Sequence, residues 1–145
     1  MGGRRRVRAL GAVVIAALAV ASAAQLAGGA AIASTTAVPK AMVGCWHRHV
    51  PGVPGLTGPG VWLMRIKSGE LLAYTPGTRK CAGQPDFTAT VAAAGSHLTI
   101  GSVPVCRTKG LYTWRASANR LTLQAKADKS CAPRRLLFSG VWKKT

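Results

Sequence analysis

The stretch from residue 106 to residue 142 constrains the fold more than any other part of the chain. Apolar residues alternate with polar ones on both sides of a short Ser-Ala-Asn sequence, which is the pattern of an antiparallel β-hairpin. If Ala118-Asn119 forms a two-residue turn, Trp114 faces Leu123 across the hairpin. Residues two apart share a face of a strand, so the hairpin has one apolar side that must be buried.

The same register places Cys106 directly opposite Cys131. Facing residues of an antiparallel pair have Cα atoms roughly 4.5 to 5.5 Å apart, a separation that a disulfide accepts. We therefore predict a disulfide between Cys106 and Cys131, which leaves Cys45 to pair with Cys81 by elimination. Cysteines used in this way are typical of an exported domain in an oxidising compartment. Their wide spacing, without a C-x2-C pair, does not favour zinc, and we expect no bound metal.

Short alternating segments bounded by turn-forming residues recur along the rest of the chain. A hairpin around Ser68-Gly69 places Lys67 opposite Glu70, and Val91 is expected to face Leu98. No helix is predicted after the N-terminal segment. Because tight turns join most neighbouring strands, the pattern favours an all-β, eight-stranded, up-and-down antiparallel barrel over a sandwich. The predicted strands are Val43–Val50, Val61–Lys67, Glu70–Thr75, Phe87–Val91, Leu98–Ile100, Leu111–Ala116, Arg120–Ala125 and Arg135–Lys143.

The N-terminal segment has the layout of a secretory signal peptide. A cluster of arginines precedes an apolar run over residues 9–20, and Ala31-Ile32-Ala33 forms a cleavage box. Ala21-Ser22-Ala23 is an alternative box, and an uncleaved membrane anchor is the alternative outcome. The protein is accordingly predicted to be secreted or held in the cell envelope. The predicted division is a signal peptide over 1–33, a flexible lead-in over 34–42 and a β-barrel domain over 43–145.

The charge of the chain is strongly positive, with 20 Lys and Arg residues against 3 Asp and Glu residues. Four of the arginines lie in the signal segment, so most of the excess belongs to the barrel domain. Such a surface attracts nucleic acid, anionic lipid headgroups and acidic cell-wall polymers with a strong salt dependence. The bases are scattered singly along the sequence, which predicts non-specific polyanion contact and no specific nucleic-acid partner.

Two parts of the barrel domain resemble a known family. Gly44-Cys45-Trp46 near the start of the first predicted strand, with Arg134 near the start of the last, resembles the structural signature of the lipocalin and calycin group. In that group the tryptophan closes one end of the barrel and a late arginine packs against it. The resemblance implies structural roles for Gly44, Arg134 and Trp142. A second part of the chain resembles the small lipocalin-like proteins exported by actinobacteria. It consists of Tyr112-x-Trp114, Leu121-x-Leu123, Asp128, Cys131, Arg134 and Gly140-x-Trp142.

The segment Trp46-His47-Arg48-His49 carries the densest group of functional side chains. In a strand the two histidines share one face, while Trp46 and Arg48 share the other. We expect the histidines outside the barrel, because only His97 remains and no carboxylate is nearby to complete a metal site. An inward Arg48 needs an anion, a hydrogen-bonded partner or water, and so suggests a carboxylate-bearing or phosphate-bearing ligand.

Aromatic and other bulky apolar side chains in the predicted interior either fill the barrel or line a site for one small ligand. Both interpretations stay open, because a domain of this size can hardly spare core for a large cavity. The candidate ligand-binding residues are Trp46, Arg48, Met64, Tyr74, Tyr112 and Trp114.

No catalytic constellation is predicted. The few acidic residues give no paired carboxylates, the cysteines are expected to be bridged, and no serine lies in a Gly-x-Ser-x-Gly elbow. Asp128 is interpreted as a turn and capping residue ahead of Cys131. The sequence predicts a monomeric, exported, lipocalin-like binding protein, without cofactor or enzymatic activity, for a small apolar or amphipathic molecule that can carry an anionic group. The alternative is a basic envelope module that binds cell-wall or other polyanions through its outer surface.

Overall fold

Eight antiparallel strands form a closed barrel in the computed structural model, which describes residues 37–56, 58–128 and 130–145. Each strand pairs with the next along the chain, and the last pairs with the first. The predicted all-β, eight-stranded antiparallel barrel is therefore confirmed, whereas the predicted signal peptide lies outside the described residues. The strands are β1 (Gly44–Val50), β2 (Gly60–Ile66), β3 (Glu70–Tyr74), β4 (Phe87–Ala94), β5 (His97–Ile100), β6 (Gly110–Ser117), β7 (Arg120–Ala127) and β8 (Gly140–Lys144).

Two hairpins have the predicted register. In the β6–β7 hairpin, Trp114 faces Leu123 around the Ala118-Asn119 turn. In the β2–β3 hairpin, Lys67 lies at the turn with its Nζ atom 3.6 Å from Glu70 Oε2. Both outcomes follow from alternation, because a shift of one residue would turn every apolar side chain away from the core.

The β4–β5 hairpin differs from its predicted register by two residues. Val91 faces Ile100 and not Leu98, and Leu98 faces Ala93. The expected pairing of Val91 with Leu98 corresponds to a turn at Ala94-Gly95, and the turn instead consists of Gly95 and Ser96, one residue later. Gly95 has a φ of 57°, a left-handed conformation that glycine adopts without steric cost. The turn therefore forms with Gly95 as the first of its two residues.

The predicted last strand over Arg135–Lys143 is wrong in its first half. Residues Ala132–Phe138 form a helix, α1, and the strand begins only at Gly140. Pro133 fits the first turn of this helix, because its missing N–H needs no partner there. Cys131 is the N-cap residue, and its sulfur accepts a hydrogen bond from the Arg134 N–H. No helix in the described part of the chain is long and apolar enough to span a membrane.

Both predicted disulfides are present, with Cα separations of 5.8 Å for Cys45–Cys81 and 5.9 Å for Cys106–Cys131. The hairpin register from which the Cys106–Cys131 disulfide was predicted is wrong at the cysteines, however. The β6–β7 register shifts between Leu111 and Tyr112, so the hairpin alignment does not extend to the cysteines. Cys106 instead lies in the loop before β6, and the bridge ties that loop to the start of α1.

The interior of the barrel is filled by side chains from all eight strands and from both ends. At one end the first turn of the described chain, a 3₁₀ helix over Lys40–Met42, contributes Met42, which is fully buried. The end of the predicted flexible lead-in is thus packed against the core, since Val38 is buried as well. Helix α1 contributes Leu137 and Phe138 to the same core. The largest fully buried side chains are Trp46, Trp62, Trp142, Arg134, Tyr74, Tyr112, Phe138 and Met42.

Candidate functional site

Three of the six candidate ligand-binding residues lie deep in the filled interior. Trp46, Met64 and Tyr112 are each fully buried in the main core cluster. The Trp46 indole N–H donates to the Met42 carbonyl oxygen over 2.9 Å, and the Lys144 Nζ atom lies 5.6 Å from the ring centroid. The cation that stacks on Trp46 is therefore Lys144 of β8 and not the late arginine that the family resemblance implies.

Tyr74 and Trp114 lie elsewhere. Tyr74 belongs to a separate apolar cluster with Leu63, Leu72 and Cys81, outside the main core cluster. Trp114 is half-buried against the main core, and its indole N–H donates to the Gly95 carbonyl oxygen over 3.0 Å. The six candidates are therefore not gathered around one common space.

Arg48 points to the inner side of β1, as the alternation predicts, and meets the C-terminal end of α1. Its Nη1 atom donates to the carbonyl oxygens of Leu136, over 3.2 Å, and Leu137, over 2.9 Å. These are carbonyls that a helix leaves unpaired in its last turn, where a cation is also favoured by the helix dipole. The guanidinium carbon lies 6.0 Å from the Trp142 ring centroid. Burial lowers the pKa of Arg48 from its usual value, yet an arginine stays charged at neutral pH.

A buried polar cluster joins Tyr112, Asp128 and Arg134. Arg134 is 0% exposed, and its Nε and Nη2 atoms donate to the two carboxylate oxygens of Asp128 over 2.9 and 2.6 Å. The Tyr112 hydroxyl donates to the same carboxylate. Asp128 is thus the centre of a bidentate ion pair, which corrects its interpretation as a turn and capping residue, although the Cys131 N–H does bond its carbonyl oxygen.

The same arginine ties the connection before β6 to α1. Its Nη1 atom donates to the carbonyl oxygens of Gly101, over 3.0 Å, and Thr108. Gly110 allows the close approach, because an added Cβ would lie 2.7 Å from an Asp128 oxygen and 2.9 Å from Arg134 Nε. Arg134 thus lies in α1 and bonds Asp128, whereas the family resemblance implies that it packs against Trp46.

The ionisation of this cluster is set by burial and by its mutual hydrogen bonds. Burial alone raises the pKa of the Asp128 carboxyl, but hydrogen bonds from Arg134 and Tyr112 outweigh it and leave the pKa below its usual value. The hydrogen bonds that Arg134 donates to the Asp128 carboxylate raise the pKa of Arg134. Burial, with the same carboxylate, raises the pKa of the Tyr112 hydroxyl, which therefore remains a donor.

We expect the free energy of unfolding to fall in acid because of Asp128. Its folded-state pKa lies below the unfolded value of about 3.9, so the stabilisation is complete above about pH 4 and is lost as the pH falls through the folded pKa. Urea unfolding of the native protein and of Asp128→Asn, from about pH 7 to about pH 2, measures this. The difference in free energy of unfolding between the two proteins should become smaller below about pH 4. A difference that stays constant over this pH range contradicts a lowered pKa of Asp128.

Each acidic residue of the sequence is engaged within the molecule. Glu70 pairs with Lys67, and Asp128 is enclosed with Arg134. The Asp86 carboxylate accepts hydrogen bonds from the Thr75 N–H and hydroxyl. None of these carboxylates lies in β6, β7, β8 or β1, so the outer side of those four strands carries no acidic side chain.

The outer side of these strands forms what we call the basic face. Its members alternate along each strand with buried residues such as Leu121, Trp142 and Trp46, and they are exposed apart from the half-buried His47. In the register, Lys143 of β8 stands opposite Arg120 of β7 on one side and His47 of β1 on the other. The basic face consists of His47, His49, Arg115, Arg120, Lys126 and Lys143.

Like charges therefore face each other across neighbouring strands. A directly opposed pair such as Arg120 and Lys143 destabilises a sheet, because no counter-charge lies between the two side chains. A bound polyanion would remove this repulsion. The sequence pattern missed the basic face because its members are scattered singly along the chain and only barrel closure brings β8 beside β1.

His47 and His49 lie on the outer side of β1, in line with the expectation from alternation. His97 begins β5, on a distant part of the barrel wall. In the ranges that the structure describes, no group of three or more His, Cys, Asp and Glu residues is placed to hold a metal ion.

Comparison of the chain with protein-family models, with curated proteins and with solved structures gave no match. The resemblance to the lipocalin group therefore stays a prediction.

Proposed function

We propose that this protein is an exported barrel that binds acidic polymers of the cell envelope through its basic face. The observation that carries the proposal is the set of six basic side chains on four adjacent strands that carry no Asp or Glu side chain. The two disulfides fit an oxidising compartment. A clustered field of one sign raises the local concentration of an oppositely charged polymer and speeds its association.

The spacing of the charges suits a chain of anions better than one small anion. Neighbouring strands lie about 4.8 Å apart, so the row formed by Arg120, Lys143 and His47 extends over roughly 10 Å. A flexible polymer with repeating phosphates or carboxylates can neutralise several of these side chains at once. The readout is electrostatic, so we expect affinity to follow the charge density of the polymer and to be insensitive to base or sugar identity.

A small molecule inside the barrel is the second candidate function. It is favoured by Trp62, which is 1% exposed and whose indole N–H has no hydrogen-bond partner in the described part of the chain. A buried donor of this kind is costly unless an acceptor reaches it. The close filling of the interior by Trp46, Met64 and Phe138 favours the outer surface as the main binding site.

The salt dependence of binding tests the proposed function. About four ion contacts, each releasing about 0.7 counterions as for a flexible single-stranded polyanion, predict roughly 50-fold weaker binding at 200 mM than at 50 mM salt. Calorimetric titration of the exported protein with poly(glycerol phosphate) measures this, and neutral dextran is the matched control. Equal affinity at both salt concentrations, or equal binding of dextran, would overturn the proposal.

A further inference from the structure

The strands β1 and β8 separate partway along their shared edge. Their pairing covers only Trp46 opposite Lys144 and His47 opposite Lys143. Beyond these residues β1 continues to Val50 and β8 extends back to Gly140 without further ladder pairs. A groove of about 360 Å³ lies here, lined by His47, Arg48, His49, Val61, Val141 and Lys143. We call it the β1–β8 groove.

Arg48 presents one edge of its guanidinium group without a protein partner. Both hydrogen bonds that it makes within the described chain leave from Nη1, toward the Leu136 and Leu137 carbonyls. An ideal Cβ on Gly140 would lie 2.7 Å from its Cζ and Nε and 3.0 Å from its Nη2. Such similar distances place Gly140 over the face of the group and not at its edge. The edge that carries Nε and Nη2 is left open, and this is the fork that binds an oxyanion through two parallel hydrogen bonds.

The position of Arg48 is fixed before any ligand arrives. The two carbonyls of α1 and the Trp142 ring hold the guanidinium group, which limits the side-chain entropy lost on binding. Gly140 is required for this arrangement, because any larger residue would displace the group. A fixed fork of this kind distinguishes the groove from the flexible lysines and arginines of the surrounding surface.

The other walls of the groove add positive charge and an apolar rim. Lys143 supplies an ammonium group, the His47 and His49 rings lie beside it, and no Asp or Glu is among the residues that line the groove. Val61 and Val141, which are 47% and 43% exposed, flank the charged groups. An anion with several oxygens and a short carbon backbone fits this combination of a fork, an ammonium group and two valine side chains.

We propose that the β1–β8 groove binds a single phosphate group, held by the Nε and Nη2 atoms of Arg48 and by Lys143, with the adjoining glycerol carbons against Val61 and Val141. The inference rests on the proposed function and deepens it, because it names the repeating unit of the polymer as a glycerol phosphate. The basic face then supplies affinity through charge, and the groove fixes the position of one unit.

A titration with glycerol phosphate tests the groove. We expect a saturable shift of the Arg48 Nε–H resonance of the exported, ¹⁵N-labelled protein. Arg48→Lys and Lys143→Gln should each weaken this binding by about tenfold or more, because each removes a charge-assisted hydrogen bond to the phosphate. Lys126→Gln removes the same charge from the basic face outside the groove and should change glycerol phosphate binding by less than about twofold. Lys143 is exposed, so the Lys143→Gln protein should fold and can still test the groove if the Arg48→Lys protein does not fold.

The outcomes separate this inference from the function on which it rests. Salt-sensitive polymer binding without a shift of Arg48 in glycerol phosphate would overturn the groove and leave the function standing. Equal effects of Lys126→Gln and Lys143→Gln, or equal binding of acetate, would also overturn it. A shift produced only by phosphatidylglycerol vesicles, with phosphatidylcholine vesicles as control, would assign the phosphate to a lipid headgroup and overturn the polymer as its source.

Discussion

Replacing Arg134 by methionine is expected to lower the free energy of unfolding by about 3–5 kcal/mol, because the Asp128 carboxylate would stay buried without its counter-ion. The loss also removes the hydrogen bonds to the Gly101 and Thr108 carbonyls. Methionine fills much of the same space, so a cavity contributes little. The effect is large because the ion pair is enclosed and several backbone groups depend on one side chain.

Urea unfolding of Arg134→Met measures this loss, and Arg135→Met is the matched control. Arg135 is the next residue of α1 and is exposed, so its replacement should change the free energy of unfolding by less than about 0.5 kcal/mol. A double variant, Arg134→Met with Asp128→Leu, should recover part of the lost stability, because it leaves no unpaired charge inside the barrel. Similar losses for Arg134→Met and Arg135→Met would show that the buried pair does not stabilise the fold.

The hairpins could be predicted because their information is local. In β6 and β7, burial of one face requires apolar residues at every second position, and the turn fixes which residues face each other. The same holds for β2 and β3 around Ser68 and Gly69. In β4 and β5 the alternation persists into Ala92, Ala93 and Ala94, where alanine fits either face. The position of the turn was then undecided by pattern, and Gly95 determined it.

The helix could not be recognised from periodicity. Leu136, Leu137 and Phe138 form a short apolar run, which fits a buried strand as well as one turn of a buried helix. Pro133 was the informative signal, because it favours the first turn of a helix and disfavours a strand. The placement of Arg134 failed for the same reason. A residue at the start of the predicted strand would lie in the barrel wall. Arg134 lies in α1 instead, and its side chain reaches Asp128 and the loop before β6.

The candidate site was only partly accessible from the sequence. Alternation predicted correctly that Arg48 faces inward and that the two histidines next to it face outward. It could not show that the carbonyls of α1 would take up one side of the Arg48 guanidinium, because that helix was not predicted. Lys143 and His47 are far apart in sequence, and only the closure of β8 onto β1 makes them neighbours.

Neutralising four members of the basic face is expected to weaken binding to poly(glycerol phosphate) by roughly 10²–10³-fold at about 0.1 M salt. The variant carries Arg115→Gln, Arg120→Gln, Lys126→Gln and Lys143→Gln. Each lost contact removes the entropy gain of released counterions, so the slope of log affinity against log salt should also become much shallower. All four side chains are exposed, and removal of the opposed charges of Arg120 and Lys143 should leave the free energy of unfolding equal or slightly higher.

The most direct test compares this variant with a second quadruple variant of the same net charge. The control carries Lys40→Gln, Arg79→Gln, Arg107→Gln and Lys109→Gln, which again removes two lysines and two arginines, all exposed and all outside the basic face. Their affinities for poly(glycerol phosphate) are measured side by side at two salt concentrations. Binding through the basic face predicts a loss of at least about tenfold more affinity in the first variant than in the control. Equal losses in the two variants would show that net charge alone attracts the polymer, and would contradict a binding surface on β6, β7, β8 and β1.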